Sequence, residues 1–322
     1  MKTIKPYYDF GDYLKKRFPF KVQKISIHAG FTCPNRDGTA GFGGCTYCNN
    51  QTFNPDYCKP TSGISEQLQE GIRFFAHKYP AMKYLAYFQA YTNTYASLET
   101  LIQKYSEALS FKEVVGLVIG TRPDCMPDKL LDYLAGLAET VDIQVEYGIE
   151  STLDSTLRRI NRGHTYQQAI DAIYRTSGRG IPVGAHLILG LPGESREQIL
   201  SHADQISTLP IDTLKLHQLQ IIKHTAMGKE FITCPERFNL YTPLDYADLV
   251  VDFLERLNPQ IAVERFISQS PKELLIAPDW GLKNFEFTAL VNKQFALRGT
   301  RQGKLFLKVL MNEKGNDYQI YD

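Results

Sequence analysis

The chain has 322 residues, with 36 Lys and Arg against 35 Asp and Glu for a net charge of +1. That length can bury a large core and suits a single α/β barrel, while the balanced charge excludes a strongly basic nucleic-acid arm but not a local basic patch. The start, Met1-Lys2-Thr3-Ile4-Lys5-Pro6-Tyr7-Tyr8, has no apolar signal core, and no run of about 18 apolar residues occurs, so no membrane partner and a cytoplasmic location are expected. The six cysteines are therefore expected in a reducing setting, where clustered thiols bind metal more often than they pair.

Strand-like and helix-like segments alternate along the chain. Val22–His28 reads as a strand and leads into a loop rich in glycine and cysteine. A helix follows at Ser65–Tyr79, with Leu68, Ile72 and Phe75 at helical spacing. Then come a strand at Lys83–Ala90, a helix at Leu98–Leu109, a strand at Val114–Gly120 and a helix at Pro127–Ala138. The pattern continues with a strand at Ile143–Ile149, helical segments at Asp154–Asn161 and Tyr166–Thr176, and a strand at Val183–Leu189. A helix at Arg196–Ser207 and a sixth strand at Thr213–Ile221 complete it. Six βα units with short turns predict a parallel sheet with right-handed crossovers, curled towards a barrel. After about Thr225 the rhythm stops. Residues 1–225 are therefore expected to form the barrel, with residues 226–322 as an extension built from a helix at Leu244–Leu257 and a mixed tail.

Alternate strand residues share a face. In the fourth strand Ile143, Val145, Tyr147 and Ile149 are apolar, whereas Gln144, Glu146, Gly148 and Glu150 lie opposite. Tyr87, Gln89 and Tyr91 align in the second strand, His186 lies on the polar side of the fifth, and Lys215 aligns with His217 in the sixth. Buried parallel strands are ordinarily apolar on both faces, so polar inner faces on several strands predict a lumen that holds a ligand.

The loop after the first strand, residues 31–50, carries Cys33, Cys45 and Cys48. Three thiolates in glycine-rich backbone suit one soft metal centre. A [4Fe–4S] cluster wants four ligands, so three leave one iron open to something that is not protein. Cys58, ten residues beyond Cys48, could be a fourth ligand. The four cysteines would then suit a structural zinc or closed iron–sulfur site in a metal-stapled binding module. The spacing lacks the usual paired knuckles, however, and such a site gives no reason for the polar inner strands.

Together these features resemble the radical SAM enzymes, whose hallmark is a three-cysteine loop after the first strand of a (β/α)6 partial TIM barrel. Their commonest first gap is three residues, whereas here it is eleven, a longer spacing familiar in the branch containing the catalytic subunit of Elongator. Gly148-Ile149-Glu150-Ser151, Leu157-Arg158-Arg159-Ile160-Asn161-Arg162-Gly163-His164 and His186-Leu187-Ile188-Leu189-Gly190-Leu191-Pro192-Gly193-Glu194 resemble that branch. The likeness extends almost end to end to its YhcC-like group, including Cys33-Pro34-Asn35-Arg36-Asp37-Gly38, Tyr87 to Thr94, Gly120 to Asp124 and Pro271 to Pro278.

The resemblance implies that Cys33, Cys45 and Cys48 hold three irons of a [4Fe–4S] cluster and that S-adenosylmethionine chelates the fourth. A flavodoxin- or ferredoxin-like one-electron donor would reduce the cluster, and cleavage of the sulfonium would release a 5′-deoxyadenosyl radical that takes a hydrogen atom from the substrate. Glu150 could accept the ribose hydroxyls, or could simply be a helix-start carboxylate. Arg162 could reach the methionine carboxylate, or lie at a surface. Gln89 and His186 are expected to line the lumen, and Gly190 and Pro192 to lie in a loop near the adenine. His186, His217 and Cys125 are the candidates for contact with reacting groups. A buried, inert thiol is the simpler reading of Cys125, and Cys234 has no partner pattern.

The Elongator-like resemblance suggests RNA as substrate, specifically the C5 side chain of a tRNA wobble uridine, while a small molecule or peptide remains an alternative. From Gly281 onward Lys283, Lys293, Arg298, Arg301, Lys304, Lys308 and Lys314 outnumber Glu286, Glu313, Asp317 and Asp322. Phe285, Phe287, Phe295, Phe306, Tyr318 and Tyr321 are interleaved with them, as in modules that combine phosphate contacts with stacking. An ordinary tail packed on the barrel explains them equally well. The sequence leaves the oligomeric state open.

Overall fold

Two capped helices show how local sequence sets the element boundaries. Thr165 and Gln168 form a reciprocal capping box at the start of one, and Ser195 and Gln198 do the same at another, each satisfying backbone N–H groups that the first turn leaves unpaired. The structure, a computed structural model, describes residues 5–52, 55, 57–58, 61–76, 81–306, 308–311 and 318–321. Tyr79, Glu313, Lys314, Asp317 and Asp322, which enter the expectations above, lie outside the described residues.

In chain order the elements are α1 (Phe10–Arg17), β1 (Val22–Ile27), α2 (Ile64–Ala76), β2 (Lys83–Phe88), α3 (Leu98–Leu109), β3 (Val114–Thr121) and α4 (Asp128–Ala138). There follow β4 (Asp142–Glu150), α5 (Asp154–Arg159), α6 (Tyr166–Ser177), β5 (Val183–Leu189), α7 (Arg196–Ile206) and β6 (Thr213–Gln218). Beyond them lie β7 (Ile221–Ile222), α8 (Ala226–Thr233), α9 (Pro243–Arg256), β8 (Ala262–Arg265), β9 (Leu275–Ala277), α10 (Asn284–Arg298), β10 (Lys308–Met311) and β11 (Tyr318–Tyr321).

The main sheet is parallel, in the order β1-β2-β3-β4-β5-β6-β8. It is curled into a partial barrel. Laid flat, seven strands would separate β1 from β8 by roughly 29 Å, six spacings of about 4.8 Å. Instead Lys24 of β1 reaches Glu264 of β8 at 2.6 Å across the concave face. The outer edge of β8 is met by the segment before α1: Val263 N donates to Tyr8 O at 2.8 Å, which covers a ladder that would otherwise lie open.

The six predicted strands and the helices between them all form, with ends shifted by a few residues. In the main sheet one strand goes beyond the expected six. The segment after Thr225 contributes β8 to the main sheet, and α9 packs Leu249, Val250, Phe253 and Leu254 into the common core. β8 is only four residues long, too short for an alternation to stand out from its surroundings. The convex face is the apolar one: Ile143, Val145, Tyr147 and Ile149 are all buried under the helices.

The tail departs from its expected role at several positions. Phe287 and Phe295 on α10 are fully buried core residues, so they are not available to stack on a substrate. Arg298 is tied to Asp248, Asp252 and Glu255 of α9. Phe285, by contrast, is exposed. Among the described residues no helix is long and apolar enough to cross a membrane.

Candidate active site

The concave face holds a cleft of about 930 Å³, its open mouth included. Cys33, Cys45 and Cys48 of the loop after β1 line it together with Gln89, Glu150, Arg162, His186 and His217. Residues spread over six chain segments are thus brought to one space. The inner face of β4 supplies Glu146, Gly148 and Glu150, and the parallel register sets Gly148 beside His186 and Ile188 beside His217.

The cysteine loop is held from both sides. Gln67 on α2 pins its entry, accepting from His28 N at 2.8 Å and donating to His28 O at 3.0 Å. Within the loop, Gly44 N donates to Asn35 O at 2.8 Å, and Gly44 itself sits at φ 77°, a conformation that favours glycine. Asn161, just beyond α5, donates from its side chain to Gly44 O at 2.8 Å and takes a left-handed φ of 51° to do so. Thr46 N donates to Ile160 O at 2.9 Å, and Thr46 O accepts from Met227 N at 2.8 Å, so α5 and α8 clamp the segment between the cysteines.

Side-chain donors point at the sulfurs. Arg162 Nη1 lies 3.5 Å from Cys45 Sγ, Asn35 Nδ2 3.7 Å from the same atom, and Asn50 Nδ2 3.6 Å from Cys48 Sγ. Arg36 Nη2 donates to Cys48 O at 3.0 Å. Burial, with the neighbouring Cys45 thiol, pushes Cys48 up to about 11. Its thiolate form therefore needs a strong positive partner such as a metal.

Arg162 is the best-anchored charge in the cleft. Nη2 donates to Gly148 O at 2.5 Å, Nε donates to His164 Nε2 at 3.0 Å, and Glu150 pairs with it at 3.4 Å. Burial and the adjacent Arg162 charge hold His164 down at about 3, so its ring is neutral and accepts. Gly148 makes this packing feasible: a Cβ there would meet Arg162 Nη2 and Glu150 Oε1, each at 2.6 Å. Glu150 and Tyr91, both lining the cleft, have φ of 69° and 62°, a left-handed strain that tends to gather at working sites.

The Radical SAM superfamily model matches residues 33–206, and the Radical_SAM C-terminal domain model matches residues 211–296. The chain belongs to the radical SAM superfamily. It is 36% identical to YtqA of Bacillus subtilis over 307 residues, covering 95% of each protein. It is 38% identical to YhcC of Escherichia coli over 272 residues, 84% of this chain and 86% of that one. Elongator complex protein 3 of Homo sapiens is 29% identical over 176 residues, 53% of this chain but 31% of that protein. Among solved structures, the archaeal Methanocaldococcus infernus Elp3 with an N-terminal deletion matches with a TM-score of 0.67 at 18% identity. The match covers 88% of this chain and 64% of that one, and it shows the shared fold. The YhcC-like placement and the partial barrel read from the sequence both hold.

Within this radical SAM scaffold the expected residues fall into two groups. Cys33, Cys45, Cys48, Gln89, Glu150, Arg162, His186 and His217 share the cleft. Gly190 and Pro192 do not line it. They border a separate surface depression with Glu236 and Tyr241, and Ile188 is the part of that strand end that reaches the cleft. Cys125 lies in a short turn after β3 and is not among the lining residues, and burial pushes its thiol up to about 12, which suits the inert reading. Cys58 is buried and donates to Gln67 Oε1 at 3.2 Å rather than lining the cleft. Among the described residues no three His, Cys, Asp or Glu side chains converge tightly enough to hold a single metal ion.

Sequence reasoning missed several cleft residues. Arg122 follows β3, pairs with Asp124 at 2.9 Å and donates to Arg162 O at 2.7 Å. Its place in the quoted stretch Gly120 to Asp124 was the available signal. Arg265 came in with the unpredicted β8, and nothing in the local pattern marked it.

Proposed function

We propose that this radical SAM enzyme works through a [4Fe–4S] cluster held by Cys33, Cys45 and Cys48, with the fourth iron open to the amino and carboxylate groups of S-adenosylmethionine. The observation that carries this reading is the gathering of the three cysteines, with side-chain N–H donors aimed at two of their sulfurs, on the same cleft as Gln89, Glu150, Arg162 and His186. A four-iron cluster takes one thiolate per iron, so its cysteines stand apart, whereas zinc would require all its ligands in one coordination sphere. The engagement of Cys58 with Gln67 speaks against a fourth protein ligand.

When bound, cluster and cosubstrate supply reductive cleavage of the sulfonium and a carbon radical able to take a hydrogen atom from the substrate. The protein's own groups bind and shield. Arg162 would neutralise sulfur charge at Cys45, and its Glu150 partner would hold the ribose hydroxyls. Gln89 and His186 line the space beyond. A cleft formed within the curled sheet limits access of water and of stray C–H bonds to the reacting centre. A one-electron donor of flavodoxin or ferredoxin type is the expected partner.

For the substrate we take the C5 side chain of a tRNA wobble uridine, which the likeness to the Elongator catalytic subunit supports. The test is 5′-deoxyadenosine release by the anaerobically reconstituted, reduced protein, with and without bulk tRNA lacking the endogenous modification. Release that rises with tRNA supports both halves of the reading. Release indifferent to tRNA retains the chemistry and moves the substrate to a small molecule or peptide. No release from protein that holds a reducible cluster refutes the radical chemistry.

A further inference from the structure

The inner wall of the barrel carries an unbalanced charge. A register shift between β6 and β8 sets Lys215 opposite Arg265 and skips Glu264. Such an irregularity lets two consecutive residues face the same side, and Glu264 and Arg265 both project to the concave face. Lys24 pairs with Glu146 at 2.7 Å and with Glu264 at 2.6 Å, and Lys215 pairs with the same two carboxylates at 2.6 and 3.2 Å. Those four charges neutralise one another. Arg265 is left over. Its Nη2 donates to His217 Nε2 at 3.1 Å, its Nε is buried with no acceptor, and no carboxylate pairs with it among the described residues.

The neighbouring imidazoles do not offset that charge. Burial, the Arg265 guanidinium and the ring of His186 hold His217 well below its usual value, so it is a neutral acceptor. Burial and Lys215 lower His186, which faces Glu146 at 2.9 Å. Three cations thus face two carboxylates, and the surplus charge sits on the cleft wall at Arg265. The guanidinium is only half-buried, but its Nε–H is buried, and a buried N–H left idle is costly unless something accepts from it.

We propose that Arg265 is an anion subsite for the substrate, and that the substrate carries a monoanionic carboxylate or phosphodiester into the β6–β8 side of the cleft. The guanidinium offers charge-assisted donors to such a group beyond the one that His217 takes. A single surplus charge beside Glu146 and Glu264 favours a monoanion over a phosphate monoester dianion. The assignment rests on the cleft being the substrate cavity, as proposed above.

The test uses anaerobically reconstituted holoenzyme and its Arg265→Gln and Arg265→Lys variants. Isotope-labelled acetate, dimethyl phosphate and neutral acetamide are followed by the broadening of their NMR lines, and S-adenosylmethionine binding is measured in parallel by equilibrium dialysis. Wild-type protein should broaden acetate or dimethyl phosphate but not acetamide. The binding should fall about tenfold in Arg265→Gln, the loss of one charge-assisted hydrogen-bonded pair, and recover in part in Arg265→Lys. Acetate alone marks a carboxylate substrate, and dimethyl phosphate alone a phosphodiester. No broadening by wild type, or equal broadening by all three proteins, overturns the subsite. Loss of S-adenosylmethionine binding in Arg265→Gln also overturns it, because Arg265 would then serve the cosubstrate. Should Arg265→Gln fail to fold, undiminished binding by Arg265→Lys overturns it. Wild type that binds acetate through Arg265 but no S-adenosylmethionine would refute the cofactor reading and leave the subsite intact.

Discussion

Replacing Glu146 by Gln tests how the polar interior is held together. Glu146 is almost fully buried, with one oxygen on Lys24 and the other shared by Lys215 and His186. Burial by itself would raise its carboxyl pKa, but Lys215, Lys24 and the His186 hydrogen bond outweigh that and hold it well below the usual carboxylate range. The substitution keeps the volume and removes the charge. It leaves Lys24 and Lys215 to share Glu264, and it turns an NH2 donor towards groups that are themselves donors. Breaking a buried pair from one side costs about 3–5 kcal/mol. At about 2–4 °C per kcal/mol for a domain somewhat smaller than this one, the melting temperature should fall by roughly 6–20 °C.

Circular dichroism melts and urea unfolding of matched preparations read this loss directly. Glu146→Gln combined with Lys215→Met should recover part of it, because the second change removes one of the stranded cations. The effect also has a sign in pH. A carboxyl with a depressed folded pKa contributes stability that is fully present above its unfolded value of about 4.3 and is lost as pH falls through the folded value, so the gap between wild type and variant should close under acid. A loss under about 1 kcal/mol at neutral pH, in the range of an ordinary surface change, would refute the buried-network argument.

Cys45→Ala should leave the protein without bound iron and sulfide, whereas Cys58→Ala should assemble a full complement, since Cys58 Sγ engages Gln67; loss of the cluster in both would restore the four-ligand reading. Gly148→Ala places a methyl group 2.6 Å from both Arg162 Nη2 and Glu150 Oε1, and should weaken S-adenosylmethionine binding about tenfold or more while the cluster still forms. Equilibrium dialysis with unchanged affinity would count against that pair as cosubstrate ligands. Asn161→Gly keeps the left-handed backbone but removes the donor to Gly44 O. It should speed chelator extraction of iron, and an unchanged extraction rate would show that the loop holds without this clamp.

Features carried by short-range pattern were legible in the sequence. The six strand segments stood out because strand-like runs alternate with helical periods, and on several of them a polar face opposes the helix-facing one. Gln89, Glu150 and His186 reach the cleft because that face turns inward, and Arg162 reaches it from the loop after α5. What escaped depends on closure. β8 has four residues and gains its identity from pairing with β6 and with the segment around Tyr8, contacts far apart in the chain. Arg265 entered the cleft only with it. Gly190 and Pro192 show the reverse case, residues placed by their motif at the site whose backbone turns into a neighbouring depression. Phe287 and Phe295 alternate with basic residues in sequence, yet α10 turns them inward against α9, because a helix buries whichever apolar stripe meets its neighbour.

The same closure explains why so much charge is tolerated inside this barrel. A lumen that opens at one end could be filled with apolar side chains at lower desolvation cost, and paired buried ions are seldom better than neutral for stability. Here Lys24, Glu146, Lys215 and Glu264 tie β1, β4, β6 and β8 to one another across the concave face. Among the described residues no backbone ladder joins β1 to β8. The ion network therefore acts as a cross-brace for an open barrel, fixing the width of the cleft that the cysteine loop and Arg265 line. Glu146→Gln should then widen or loosen the cleft as well as destabilise the fold. Holoenzyme carrying it should show faster hydrogen exchange at the β1 and β8 ladders than at β3. Uniform acceleration across all strands would instead assign the network to global stability alone.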